Sequence, residues 1–149
     1  MERTLVIIKP DGVQRGLMGE IVGRLERRGL RLAGMKFMQM SKELAATHYA
    51  EHQKTDFYDS LIDYIISGPV LVMVWEANNA IKVVRDTIGV TSPEKAAPGT
   101  IRGDLGLEIG RNLVHGSDGV KAAGVEVKLF FGEDELVGWE RSSDGWVFE

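Results

Sequence analysis

Apolar residues along this chain fall into short solid runs and helically spaced series, and the two kinds alternate. Leu5 to Ile8 is a compact, β-branched run that reads as a buried strand ending at Lys9. Pro10, Asp11 and Gly12 then force a turn. Leu17, Met18, Ile21, Val22 and Leu25 recur at helical spacing, with Gly29 placed as the residue just past the helix end. Arg31 to Met40 mixes basic and apolar positions and reads as a second strand. Ser41 is suited to cap a helix carrying Leu44, His48 and His52. Another helix fits Phe57 to Ser67, closed by Gly68 and Pro69.

Val70 to Trp75 is apolar throughout, as a central strand covered on its faces would be. Asn78 or Asn79 can cap a helix through Val83, Val84 and Ile88 that stops at Gly89. Residues 89–104 carry prolines at 93 and 98 and no period. They read as a loop of about 16 residues, longer than most compact domains carry, which invites a functional explanation. Val120 to Val127 is a weak helix with glycines at 119 and 124, and Val125 to Phe131 could instead lead into a last strand. This alternation predicts helices packed on one face of a mixed or antiparallel sheet. No repeat, low-complexity segment or linker divides the chain, so residues 1–149 read as one domain.

Composition narrows the class. Of 149 residues, 44% are hydrophobic and 27% charged, within the globular range. No apolar run approaches the roughly 20 residues that cross a bilayer, and Met1-Glu2-Arg3-Thr4 leads straight into a strand pattern rather than a secretory signal. The absence of cysteine removes disulfides and thiolate metal sites. A soluble intracellular protein without membrane attachment is the expectation. The formal net charge of −4 argues against a surface that attracts nucleic acid as a whole. It leaves room for a small polyphosphate, which needs only a few converging cations.

The chemistry concentrates in Asn112-Leu113-Val114-His115-Gly116-Ser117-Asp118. Ser117 and Asp118 can both accept hydrogen bonds from a first helical turn. A histidine there faces the positive end of a helix dipole, which disfavours imidazolium and welcomes phosphate. Neutral imidazole is a nucleophile, so the stretch suits a phosphoryl carrier; the plain alternative is a histidine buried at a helix start. His48 and His52 are four apart, but Tyr49, Ala50 and Glu51 between them do not form a His-Glu-x-x-His element, and no metal site is expected there. A Gly-x-x-x-x-Gly-Lys-Ser/Thr phosphate loop is absent.

Thr4-Leu5-Val6-Ile7-Ile8-Lys9-Pro10-Asp11-Gly12-Val13-Gln14-Arg15-Gly16, taken with Asn112 to Asp118, closely resembles the nucleoside diphosphate kinase family. The likeness extends through Ser67-Gly68-Pro69-Val70, Pro98-Gly99-Thr100-Ile101-Arg102-Gly103-Asp104 and the closing Trp146-Val147-Phe148-Glu149, in the family's order and spacing. It implies an α+β fold with a ferredoxin-like βαββαβ core, an antiparallel four-stranded sheet covered by helices. It implies transfer of the γ-phosphate of a nucleoside triphosphate to a nucleoside diphosphate by a ping-pong route through phosphohistidine, with broad base specificity. Such a transfer exchanges equivalent phosphoanhydrides, so its covalent intermediate should be comparably labile. A phosphoramidate on His115 meets that demand better than an ester on Ser117.

The same resemblance assigns the remaining roles. His115 is the nucleophile through Nδ1, Glu126 bonds the other ring nitrogen, and Ser117 bonds near both. Eleven residues of straight helix would span about 16 Å, so the chain around His115 must fold back for Glu126 to reach it. Lys9 and Asn112 match ligands of the ribose 3′-hydroxyl, Lys9 also touching the transferring phosphate, and Tyr49 matches a residue beside the phosphohistidine. Arg85, Thr91 and Arg102 match the residues that hold the β- and γ-phosphates. Phe57 matches the aromatic that stacks on the base, opposite Ile109, with Leu61 in the same slot; read plainly, Phe57 is helix core. Mg²⁺ is implied as cofactor, bound through nucleotide phosphates with Asp118 reaching it through water.

Trp139, Trp146, Val147 and Phe148 give the tail much apolar area in need of burial. The family forms homo-oligomers, and this tail resembles its hexameric members, with residues 89–104 contributing to trimer contacts. A cytoplasmic hexamer is implied. The rival readings are a binding or regulatory protein on the same fold and a phosphohistidine donor to other proteins. Neither requires Lys9, Tyr49, Arg85, Arg102, Asn112 and His115 together.

Overall fold

The structure, a computed structural model, describes residues 1–149. Four strands form one sheet: β1 (Glu2–Ile8), β2 (Arg31–Met38), β3 (Val70–Ala77) and β4 (Val114–Gly116). Their spatial order is β2-β3-β1-β4, and every pairing is antiparallel. Seven helices accompany them: α1 (Pro10–Gln14), α2 (Met18–Arg27), α3 (Lys42–His48), α4 (Tyr58–Ile65), α5 (Ala80–Ile88), α6 (Ile101–Leu105) and α7 (Val120–Phe130). None is long and apolar enough to cross a membrane.

The alternation of side chains along the strands builds two cores, not one. Val6 and Ile8 of β1 with Met73 and Trp75 of β3 pack against Ile21 and Leu25 of α2 and Val84 and Ile88 of α5. Leu5 and Ile7 with Val72 and Val74 pack on the other side against Ala45 of α3, Ile62 and Ile65 of α4 and Phe130 of α7. Helices therefore cover both faces, and the one-face arrangement expected from alternation is corrected. Every residue of β3 is buried, and each such aliphatic side chain contributes about 1.5–3 kcal/mol of transfer free energy. That double coverage explains why Val70 to Trp75 shows no polar alternation.

Several local signals operate as read. Ser41 Oγ accepts from the Leu44 amide at 3.0 Å, capping α3, and Gly29 follows α2 at φ +106°. Others need correction. Pro10 to Gly12 opens α1 instead of a bare turn, because proline is well suited to the first helical position. β2 ends at Met38, two residues short of the expected Met40. His48 closes α3, while His52 sits in a separate 3₁₀ turn, so they do not share one helix. Residues 89–104 are not structureless. They hold a 3₁₀ turn at Pro93–Lys95 and lead into α6, whose cap is Thr100 Oγ1 accepting from the Gly103 amide at 3.0 Å. Val125 to Phe130 belongs to α7; the last strand comes before that helix, at Val114–Gly116.

Candidate active site

β4 sets the position of His115. Only three residues long, it pairs with the edge of β1 so that His115 stands opposite Ile7 and shares its face. Val114 and Gly116 point to the other face, where α5 presses close: a Cβ at Gly116 would lie 2.9 Å from Ile88 Cδ1. α7 then runs back over the His115 face. This reversal brings Glu126, in its second turn, to the imidazole, with Oε1 2.9 Å from His115 Nε2.

The expected dipole geometry is corrected here. Neither Ser117 nor Asp118 caps a helix; the cap position of α7 is Gly119, without a side-chain cap hydrogen bond. Ser117 is fully buried, its Oγ accepting from the Leu5 amide at 3.2 Å and donating to Glu126 Oε1 at 2.7 Å. Burial pushes the Glu126 carboxyl up, but hydrogen bonds from His115 and Ser117 outweigh it and hold it below the ordinary carboxylate range. An ionised carboxylate only accepts hydrogen bonds. His115 Nε2 must therefore carry the proton, and in the neutral ring Nδ1 keeps its lone pair.

The turn before β4 is strained. Leu113 is buried at φ +72°, and the Val114 amide donates to the Asn112 carbonyl at 2.8 Å across it. This is a γ-turn of the rare, non-inverse hand, at a residue whose Cβ disfavours that region by about 1–3 kcal/mol. It separates the directions of Asn112 and His115. Asn112 Oδ1 accepts from Lys9 Nζ at 2.9 Å, while its Nδ2 donates to the Thr91 carbonyl at 3.1 Å. Burial, reinforced by the charge of Arg102 and partly offset by Asp11, lowers the Lys9 ammonium to about 8.

Arg102 is buried and braces the same stretch. Its Nε, Nη1 and Nη2 donate to the carbonyls of Asn112, Gly89 and Val114 at 3.2, 3.0 and 2.5 Å. The remaining N–H groups are available to a ligand. Burial and then Arg85 lower it to about 10. Arg85 Nη1 donates to Asp118 Oδ1 at 3.1 Å, and the Asp118 side chain is 81% exposed.

These residues line one cavity of about 670 Å³. Lys9, Tyr49, Phe57, Leu61, Arg85, Thr91, Arg102, Ile109, Asn112, His115, Asp118 and Glu126 all border it; Ser117 lies behind the wall, reaching it only through Glu126. Phe57 and Ile109 stand at the rim, 53% and 60% exposed, so Phe57 is not helix core. The Tyr49 hydroxyl is buried without a partner, and burial with the nearby Glu126 charge keeps it protonated. His48, Tyr64 and Arg111 also border the cavity, and no sequence motif points to them there. His48 packs edge-on to His115 with centroids 4.9 Å apart, both its nitrogens unpartnered, and burial followed by the His115 charge lowers it to about 3. Nothing in the neighbouring residues announces that contact.

Donor atoms of His48, His115 and Glu126 lie within 4.8 Å of one another. Glu126 Oε1 is already committed to His115 and Ser117. Mg²⁺ favours oxygen ligands and retained water, and the exposed carboxylate of Asp118 on the cavity wall fits that chemistry.

Comparison with known proteins points one way. The family model described as "Nucleoside diphosphate kinase" matches residues 2–136. The chain is 56% identical over 149 residues to a nucleoside diphosphate kinase of Archaeoglobus fulgidus, covering 100% of this chain and 99% of that one. With one of Carboxydothermus hydrogenoformans it is 52% identical, both chains fully covered. A Halobacterium salinarum nucleoside diphosphate kinase solved in complex with CDP superposes with a TM-score of 0.97 at 54% identity, covering 99% of each chain. A Babesia bovis nucleoside diphosphate kinase family protein gives 0.97 at 47% identity, covering 99% of this chain and 100% of that one.

Proposed function

Since the chain belongs to the nucleoside diphosphate kinase family, we propose that its phosphotransferase activity runs through His115 Nδ1. The activity itself comes with membership: the chain moves the γ-phosphate of a nucleoside triphosphate to a nucleoside diphosphate. One observation carries the choice of residue. An ionised Glu126 held against Nε2 at 2.9 Å fixes the tautomer that leaves Nδ1 nucleophilic. The same carboxylate balances the positive charge the ring gains as the N–P bond forms and the diphosphate leaves. In the second half-reaction another diphosphate attacks the phosphohistidine in the same cavity, which is ping-pong exchange.

The remaining wall supports one orientation for both nucleotides. Lys9 and Asn112 bind the ribose 3′-hydroxyl and the transferring phosphate, beside the protonated Tyr49. Arg85, Thr91 and Arg102 hold the β- and γ-phosphates, each charge-assisted hydrogen bond contributing about 1.5–3 kcal/mol. Phe57, Leu61 and Ile109 grip the base by stacking and apolar contact, which any base satisfies, hence broad specificity. CDP bound to the halobacterial relative supports a diphosphate as ligand. Asp118 would hold a Mg²⁺ brought in by the nucleotide, and such an ion would supply charge neutralisation for the phosphates. The exposed Phe37 and Trp146, 59% and 92% accessible, support a homo-oligomer, in our reading a cytoplasmic hexamer.

Two measurements test this. Triphosphate plus a different diphosphate should exchange phosphate at micromolar protein; no exchange sinks the assignment. Incubation with γ-labelled triphosphate should leave acid-labile, alkali-stable label on the protein and none on His115→Ala, whose exchange should fall on the order of 10⁴-fold or more. Acid-stable label would implicate a hydroxyl such as Ser117 instead.

A further inference from the structure

Asp11 has no place in the scheme above and does not line the cavity, yet both its carboxylate oxygens are occupied just behind it. Oδ1 accepts from the Tyr64 hydroxyl of α4, and Oδ2 accepts from the Leu113 amide at 3.1 Å. On the other side of Leu113, its carbonyl accepts from the Lys9 amide at 2.8 Å. The N–H and C=O flanking the strained Leu113 Cα are thus clamped from one short stretch, Lys9 and Asp11. Gly12 is what lets α1 come so near. A Cβ there would lie 2.7 Å from Ile8 Cγ2 and 3.1 Å from the Leu113 carbonyl oxygen.

A positive-φ leucine persists only where its surroundings over-determine it. Without the Asp11 contact, the Leu113 N–H loses its acceptor, and the turn relaxes toward ordinary backbone values against only the Lys9 amide on one side and Arg102 Nε on the Asn112 carbonyl on the other. Asn112, next along the chain, would then turn its amide away from Lys9 Nζ. His115 is protected from the same rotation, because β4 and Arg102 hold the backbone beyond Val114.

We infer that Asp11 is a positioning residue for the 3′-hydroxyl end of the nucleotide site, acting through the Leu113 turn on the Asn112–Lys9 pair. Tyr64 orients the carboxylate, which assigns a role to that otherwise unexplained cavity residue. The inference rests on reading Lys9 and Asn112 as ligands of the ribose 3′-hydroxyl, and the experiment separates the two.

The readout is the ratio of kcat/KM for an ordinary nucleoside diphosphate to that for its 3′-deoxy analogue. Asp11→Ala should lower this ratio about tenfold while leaving the rate with the 3′-deoxy analogue within about threefold of wild type. Asp11→Asn keeps an oxygen for the Leu113 amide and should restore most of the ratio. Tyr64→Phe, which removes one of the two contacts, should lower it less than Asp11→Ala and serves if that variant does not fold. Equal losses on both substrates, or no change in the ratio, would overturn the inference when Asn112→Ala collapses that ratio. If Asn112→Ala leaves the ratio untouched, the 3′-hydroxyl reading falls and this inference with it.

Discussion

The two ends of the cavity are built on opposite principles. At the carrier end, His115 and Glu126 keep only 19% and 16% of their side chains exposed, and every partner is fixed by another: Leu5 holds Ser117, Ser117 holds Glu126, Glu126 holds His115. At the mouth, Phe57 and Ile109 are more than half exposed, and their side chains have no polar atom to orient a ligand. Burial with full hydrogen bonding gives one geometry and one tautomer, which phosphoryl transfer needs because it depends on positioning and electrostatics. An exposed apolar rim gives contact without direction, which suits the broad base acceptance proposed for it.

Breaking the buried end should cost most. Glu126→Gln leaves a hydrogen-bonding group but removes the negative charge that balances the phosphorylated ring. It should lower kcat by about 10²-fold, with KM changed far less. A loss confined to KM would show that Glu126 binds substrate and does not tune the imidazole.

Lys9 tests the boundary between the two ends. Its ammonium, lowered to about 8, loses charge as pH rises through that value. Under the proposed contact between Lys9 and the transferring phosphate, kcat/KM should fall about tenfold per pH unit above it. Lys9→Arg should erase this limb, because guanidinium stays charged; an unchanged limb in the variant would assign it to another group. The sign for stability is opposite. Between about 8 and the ordinary 10.5 the unfolded chain binds the proton and the folded one does not, so the fold gains stability as pH rises.

The mouth should yield the smallest effect. Phe57→Ala should raise KM by about threefold to tenfold, with kcat nearly unchanged and the same change for purine and pyrimidine nucleotides. Marked discrimination between bases in this variant would mean that Phe57 selects and does not merely stack.

Structure is legible in this sequence where period or a local cap determines it, and illegible where tertiary contact does. β1, β3, α2 and α5 are legible because their apolar spacing matches a strand or helix facing a core. β4 is not, since three residues carry no period and Ser117 with Asp118 read equally well as a helix start. α6 is five residues long, too short to show a period, and is held by buried Ile101, the Thr100 cap and the Arg24–Asp104 pair at 2.7 Å, a contact across 80 residues. Two-sided coverage of the sheet was latent in the unbroken apolar run of β3. For the site, residue types and spacing suggested a phosphate carrier, and resemblance supplied the partners. Neither foretold the Leu113 turn, since an ordinary leucine gives no hint of positive φ, nor His48 against His115, since nothing local links α3 to β4.

The serine behind the cavity wall has a further effect on how this molecule fails. Its hydroxyl ties a main-chain amide of β1 to the carboxylate that aligns the reacting ring. Three-residue strands at a sheet margin open at lower cost than buried central ones. The hydroxyl sits immediately beyond that strand, so opening the margin dissolves the alignment and also draws Val114 away from the core it shares with Ile8 and Val84. Loss of competence on warming should therefore track that opening, and exchange of the Leu5 amide is a gauge of it from outside.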